Sequence, residues 1–187
     1  MKLIVLDRDG TLSQEPEEFI RSPEEWVPIP GALEAVARLN QGGWRVVVAT
    51  NQSGLGRGLF DIATLNAVHA RMHKLLAAAG GRIDGVFFCP HAPEDACECR
   101  KPAPGLFHQI ARRLGVSPTH TVAIGDSVRD AQAAVAAGCE AHLVLTGQFA
   151  GLSPEVLPSG CPPGVQVHAD LAAAVDVLLA RGATSQP

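Results

Sequence analysis

Short apolar runs alternate with stretches of helical periodicity along nearly the whole chain. Residues 3–6, 46–49, 86–89, 121–124 and 141–145 are rich in β-branched and apolar types and read as strands. Between them, 31–41, 61–79, 104–114, 127–137 and 169–181 carry apolar positions at helical spacing. Glycines follow most of these helices: Gly42-Gly43, Gly80-Gly81, Gly115 and Gly138, and Asp61 stands where an N-cap belongs. Strand–helix alternation with continuously apolar strands predicts an α/β fold, a three-layer Rossmann-like parallel sheet with helices on both faces. Right-handed crossovers put every strand's carboxyl end on one rim, where ligands bind in such sheets. That rim is expected to carry Asp7, Thr50, Cys89 and Gly125-Asp126.

Composition narrows the class. The 187 residues are 47% hydrophobic and 18% charged, which fits one globular domain over 1–187. With 15 Lys+Arg against 19 Asp+Glu and a net charge of −4, no basic run marks a nucleic-acid or anionic-membrane surface. The first apolar run stops at Asp7, too short for a signal peptide or a membrane span, so a cytoplasmic protein is expected. Nothing demands an oligomer, and a monomer is expected.

Four polar motifs follow four strands. Asp7-Arg8-Asp9-Gly10-Thr11 sets two carboxylates at one strand end. Asp7 is placed to attack phosphorus, and Asp9 to protonate the leaving oxygen and later activate water. Two carboxylates beside a phosphate dianion repel, so a hard cation, Mg²⁺, is required. Thr50-Asn51-Gln52-Ser53-Gly54 offers a hydroxyl and backbone N–H groups to phosphate oxygens. In Arg100-Lys101, Lys101 can neutralise phosphoryl charge and Arg100 can grip a second anionic group. In Gly125-Asp126-Ser127-x-x-Asp130, Asp126 is placed to hold the metal and Asp130 to orient the groups around it.

Of the five cysteines, three lie with one histidine in residues 89–99 as Cys89-x-His91 and Cys97-x-Cys99. This set suits a closed Cys₃His zinc site. The spacings are not those of a zinc finger. Four protein ligands leave no open position, so the zinc is read as structural. Cys99 directly precedes Arg100 and Lys101, so the metal would fix the loop, 89–101, that carries both cations.

The four motifs, in order, resemble the haloacid dehalogenase superfamily of phosphohydrolases across nearly the whole chain. The resemblance implies a HAD-like fold with Asp7 as nucleophile and Asp9 as general acid/base. It implies phosphoryl binding by Thr50 and Lys101, and Mg²⁺ held by Asp7, Asp9 (through its backbone carbonyl) and Asp126. Cys-Pro-His…Cys-x-Cys-Arg-Lys-Pro, with Asn51-Gln52-Ser53-Gly54 and Arg57-Gly58, is similar to the D-glycero-D-manno-heptose 1,7-bisphosphate 7-phosphatases. These act in ADP-heptose synthesis for lipopolysaccharide and are related to histidinol-phosphate phosphatase, the nearest rival substrate. The likeness implies a small sugar phosphate substrate recognised through Arg100, with Asn51, Gln52 and Ser53 beside it. Ser127 replaces a lysine common in that group, and Glu15-Pro16-Glu17-Glu18-Phe19 replaces a Gly-Tyr-Val stretch, so the sugar contacts are expected to differ. No stretch is long enough for a large cap domain.

A non-catalytic zinc-stabilised binding protein is the rival from another class. It would have lost one of Asp7, Asp9, Lys101 or Asp126, and all four are present. His69 and His73 lie four apart on a predicted helix, but without a His-Glu-x-x-His pattern they read as a surface or half-buried pair remote from the rim. Gly54-x-Gly56-x-Gly58 lacks dinucleotide-loop spacing, and no nucleotide P-loop occurs. Trp26, Trp44 and Cys139 read as packing residues; Cys161 has no assignment.

Overall fold

The computed structural model describes residues 1–183. Five strands form where the apolar runs predict them: β1 Lys2–Leu6, β2 Trp44–Asn51, β3 Gly85–Cys89, β4 Thr121–Gly125 and β5 Glu140–Val144. A sixth, β6 Gln166–His168, was not expected. It spans three residues, two of them polar, and hydrogen-bonds β5 at the sheet edge. All pairings within the six-stranded sheet are parallel, in the order β3-β2-β1-β4-β5-β6.

Helices α1 Ala32–Gln41, α2 Ser53–Gly56, α3 Ile62–Ala78, α4 Gly105–Leu114 and α5 Val128–Ala137 connect β1 to β5 in turn, and α6 Leu171–Ala183 follows β6. The single-turn α2 had no periodicity to announce it. Asp61 caps α3 by accepting from Thr64 N at 2.8 Å. Strand side chains alternate between two cores. Ile4, Leu6, Val46, Val48, Val122 and Ile124 pack with α1, α3 and α6; Leu3, Val5, Val47, Ala49 and Ala123 pack with α4 and α5. Burying both faces is what permits a purely parallel sheet.

The topology places the site. The chain runs outward from β1 to β2 and β3, then returns to lay β4 on the other side of β1. The order reverses between β1 and β4, so their carboxyl ends open a crevice. Leu6 pairs with Ile124, and Asp7 N donates to Ile124 O at 2.9 Å, which brings Asp7 and Asp126 to that crevice. Residues 7–31 join β1 to α1 with a single 3₁₀ turn, Pro23–Glu25, and no cap domain.

Candidate active site

The rim opens into a cleft of about 200 Å³ lined by residues from all four motifs, among them Asp7, Asp9, Thr50, Asn51, Gln52, Ser53, Arg100, Lys101, Asp126 and Asp130. Lys101 is its centre. It is 3% exposed, and its three N–H groups go to Asp7 Oδ1 (2.7 Å), Asp130 Oδ1 (2.5 Å) and the Ala49 carbonyl of β2 (2.7 Å). Its backbone is fixed separately: Asn51 Oδ1 accepts from Lys101 N at 3.0 Å, and Asn51 Nδ2 donates to Lys101 O at 3.1 Å. Burial opposes its charge, but Asp130 and Asp7 outweigh burial and raise the ammonium's pKa.

Asp7, Asp126 and Asp130 each offer a carboxylate oxygen within 4.8 Å of the others. At an effective dielectric near 20, each such pair costs on the order of 3 kcal/mol. Burial, then the neighbouring carboxylates, push Asp7 up to about 7 and Asp126 up to about 9. One lysine does not offset three carboxylates. Asp126 Oδ2 is also buried without a hydrogen-bond partner. The backbone leaves room around it only because residues 10 and 147 are glycines: a Cβ would stand 2.3 Å from this oxygen at Gly10 and 1.8 Å at Gly147. An orphaned hard oxygen in a carboxylate cluster suits Mg²⁺. Asp130 also closes a capping box on α5, accepting from Ser127 N (3.0 Å) and Ser127 Oγ (2.6 Å). Ser127 is thus spent on the helix start.

Asp9's carboxylate stands apart from this cluster. Arg8 grips it with both fork nitrogens at 2.8 Å, while Gln52 Nε2 (3.1 Å) and Ser13 Oγ (3.2 Å) donate to it. Burial would raise its pKa, but the Arg8 guanidinium and these bonds hold it below the usual value. Gln52 Nε2 also donates to Thr50 Oγ1 at 2.9 Å, tying the second motif to the first. Arg8 is fully buried, and its Nη1 lies 3.2 Å from His69 Nε2. The expectation of a surface or half-buried His69 remote from the rim is corrected here: His69 is 8% exposed and touches the motif that follows β1.

Cys89, His91, Cys97 and Cys99 converge beside the cleft. The edges of the group are Cys89 Sγ–His91 Nδ1 3.5 Å, Cys89 Sγ–Cys97 Sγ 3.5 Å, His91 Nδ1–Cys99 Sγ 3.3 Å and Cys97 Sγ–Cys99 Sγ 3.6 Å. Zn–S bonds of about 2.3 Å and a Zn–N bond of about 2.0 Å require tetrahedral edges of roughly 3.5–3.8 Å. These four residues could hold a zinc ion. The segment is anchored at both ends: Gln52 N donates to Cys89 O (2.8 Å), Gly56 N to Pro90 O (2.8 Å) and Gly105 N to Glu98 O (3.0 Å). Gly56 and Gly105 allow these approaches, since a Cβ would meet the Pro90 or Glu98 carbonyl at 2.7 or 2.2 Å.

Arg100 lines the cleft with its Nη1 buried and unpartnered. Arg129 and Gln148 line it too, without having been singled out in the sequence. Arg129 follows Asp126 closely enough to be suspected, whereas Gln148 comes from a loop with no motif. Glu15 and Glu18 also border the cleft, in the loop expected to differ.

Comparison with known proteins agrees with this geometry. The family model for haloacid dehalogenase-like hydrolases matches residues 13–138. The D-glycero-beta-D-manno-heptose-1,7-bisphosphate 7-phosphatase of Bordetella bronchiseptica is 53% identical over 96% of this chain and 98% of its own. The enzyme of the same name from Pseudomonas aeruginosa is 44% identical over 95% and 97%. A crystal structure of the B. bronchiseptica D,D-heptose 1,7-bisphosphate phosphatase, complexed with magnesium and phosphate, superimposes with a TM-score of 0.90 at 52% identity, covering 97% of this chain and 99% of that one. With its parallel sheet, its clustered carboxylates and relatives of this identity over almost its full length, the chain belongs to the haloacid dehalogenase-like hydrolases.

Proposed function

We propose that this protein is a Mg²⁺-dependent phosphatase that removes the 7-phosphate of D-glycero-β-D-manno-heptose 1,7-bisphosphate through a phospho-Asp7 intermediate, acting as a cytoplasmic monomer. The observation that carries the reading is the meeting of Asp7, Asp126 and Lys101 at the β1/β4 crevice. The named relatives supply the substrate. Asp7, Asp126 and the backbone carbonyl of Asp9 would hold Mg²⁺. When bound, the cation offsets the charge between these carboxylates and the phosphoryl oxygens.

Lys101, turning the N–H now given to Asp7 toward the phosphoryl group, and Thr50 hold phosphoryl oxygens and align the phosphorus with Asp7. An Asp7 oxygen bonds to phosphorus as the bond to sugar O7 breaks, and Asp9 gives that oxygen its proton. The incoming dianion raises the proton affinity of Asp9, which Arg8 otherwise keeps ionised, and Oδ2 carries the proton once Gln52 Nε2 releases it while Arg8 keeps its hold. Asp9 then takes a proton from water as the water oxygen attacks the acyl phosphate. Inorganic phosphate leaves and Asp7 is restored. Arg100, with its unpaired buried nitrogen, is suited to the phosphate that stays on the sugar. Zinc on Cys89, His91, Cys97 and Cys99 has a structural part, holding Arg100 and Lys101 at the cleft.

A paired assay with Mg²⁺ tests the substrate. Phosphate release from heptose 1,7-bisphosphate should exceed that from histidinol phosphate in kcat/KM. A preference for histidinol phosphate would reject this assignment and leave the phosphatase chemistry standing.

A further inference from the structure

Helix α3 buries a stripe made of Leu65, Val68, His69, Met72 and Leu76, of which Val68, Met72 and Leu76 join the core that α1, α6 and the strands share. Four of these are apolar, and His69 is the polar exception. A buried imidazole is costly unless it is hydrogen-bonded. Its partner is Arg8 Nη1 at 3.2 Å, 61 residues away in sequence. A guanidinium can only donate, so Nε2 accepts and the ring proton sits on Nδ1. Burial, then the Arg8 charge, lower the His69 pKa to about 4, which keeps the ring neutral and able to accept.

Arg8 therefore has a fixed geometry. Nε and Nη2 clamp the two oxygens of Asp9 at 2.8 Å, and Nη1 is anchored by His69. The guanidinium is planar, so anchoring one nitrogen sets the plane in which the other two meet Asp9. Without His69, the guanidinium could tilt about its long side chain. Asp9 would then lose its aim, since a small misplacement of a proton donor is costly in rate.

We infer that His69 is a positioning residue for proton transfer, acting through Arg8 to aim the Asp9 carboxyl at the leaving oxygen. This rests on the reading of Asp9 as the general acid. The alternative is an imidazole that merely satisfies a buried arginine. The two differ in their dependence on the leaving group. A sugar alkoxide needs a proton as it departs, whereas p-nitrophenolate does not.

The test compares kcat/KM, which reports phosphoryl transfer to Asp7, for the heptose bisphosphate and for p-nitrophenyl phosphate. His69→Met should lower the first by about tenfold or more and the second by less than about twofold. His69→Gln, whose amide oxygen can accept from Arg8, should recover most of the loss. His69→Asn, with a shorter reach, should repeat the selective loss and serves if the Met variant does not fold. Asp9→Asn is the reference. If it lowers both substrates equally, the acid role of Asp9 fails and the inference with it. If Asp9→Asn is selective while the Met and Asn variants of His69 lower both substrates equally, or neither, only the role of His69 is overturned.

Discussion

Lys101 and Asp126 occupy opposite electrostatic positions in the cleft. Every N–H of Lys101 is taken, whereas Asp126 Oδ2 has no protein partner. The first arrangement immobilises a cation, and the second is costly until a metal binds. Asp7 lies between them. Asp7→Asn keeps the volume and removes a charge from a repelling group, so it should fold at least as stably as the parent while kcat falls by about a thousandfold or more. Substantial turnover by that variant would exclude the covalent route. Gly147 tests the metal side. It does not require a positive φ, so an Ala costs little in the backbone, but its Cβ would stand 1.8 Å from Asp126 Oδ2. Gly147→Ala should raise the Mg²⁺ concentration for half-activation by about tenfold, or about 1.4 kcal/mol of binding, because it displaces one oxygen of the ligand set. An unchanged Mg²⁺ titration would mean that this oxygen is not a ligand.

The loop between β3 and α4 has one regular piece, the 3₁₀ turn Pro93–Asp95, and gathers Cys89, His91, Cys97 and Cys99 into one cluster. Cys97→Ala should release zinc, loosen Arg100 and Lys101, and lower kcat/KM for the bisphosphate by about tenfold or more, with α-helix content unchanged by circular dichroism. Full activity with no zinc by elemental analysis would leave the loop independent of the metal. This cluster was legible in the sequence because all four ligand types fall within residues 89–99. Strands β1, β2, β4 and β5 were legible for a related reason: a strand buried on both faces must be continuously apolar, whereas β3, half-buried at the sheet edge, was legible from its apolar run alone. β6 was not, since three edge residues including Gln166 and His168 carry no such run. His69 shows the limit more sharply. Its helical spacing to His73 was visible, but its partner depends on how α3 lies over the segment after β1, and no local pattern encodes that. Arg129 and Gln148 reach the cleft in the same way, through tertiary placement.

The molecule as a whole also holds a buried histidine pair away from the cleft. His142 Nδ1 and His168 Nε2 are 2.8 Å apart, joining β5 to β6, and His142 Nε2 lies 2.9 Å from Glu140 Oε1. Burial first, then His142 and Arg181, bring His168 down to about 4; burial also lowers His142 despite Glu140. The unfolded chain then takes up a proton below about pH 6.5 that native His168 refuses until about pH 4, so its stability contribution is lost as the pH falls through that window. With Mg²⁺ saturating, the wild type should lose more Tm between about pH 7 and about pH 5 than a His168→Asn variant does. Equal losses would show that His168 does not titrate on unfolding. One sheet thus carries structural polar groups toward its edge and reactive ones at the crevice where strand order reverses. Which phosphate leaves at that crevice, and whether its loss needs a cation, decides the proposed function. The most direct measurement is ³¹P NMR of heptose 1,7-bisphosphate incubated with the protein and Mg²⁺. The predicted result is loss of the C7 phosphomonoester signal, growth of inorganic phosphate and retention of the C1 signal, all abolished by chelating Mg²⁺. Loss of the C1 signal instead, or hydrolysis that persists without the cation, would contradict it.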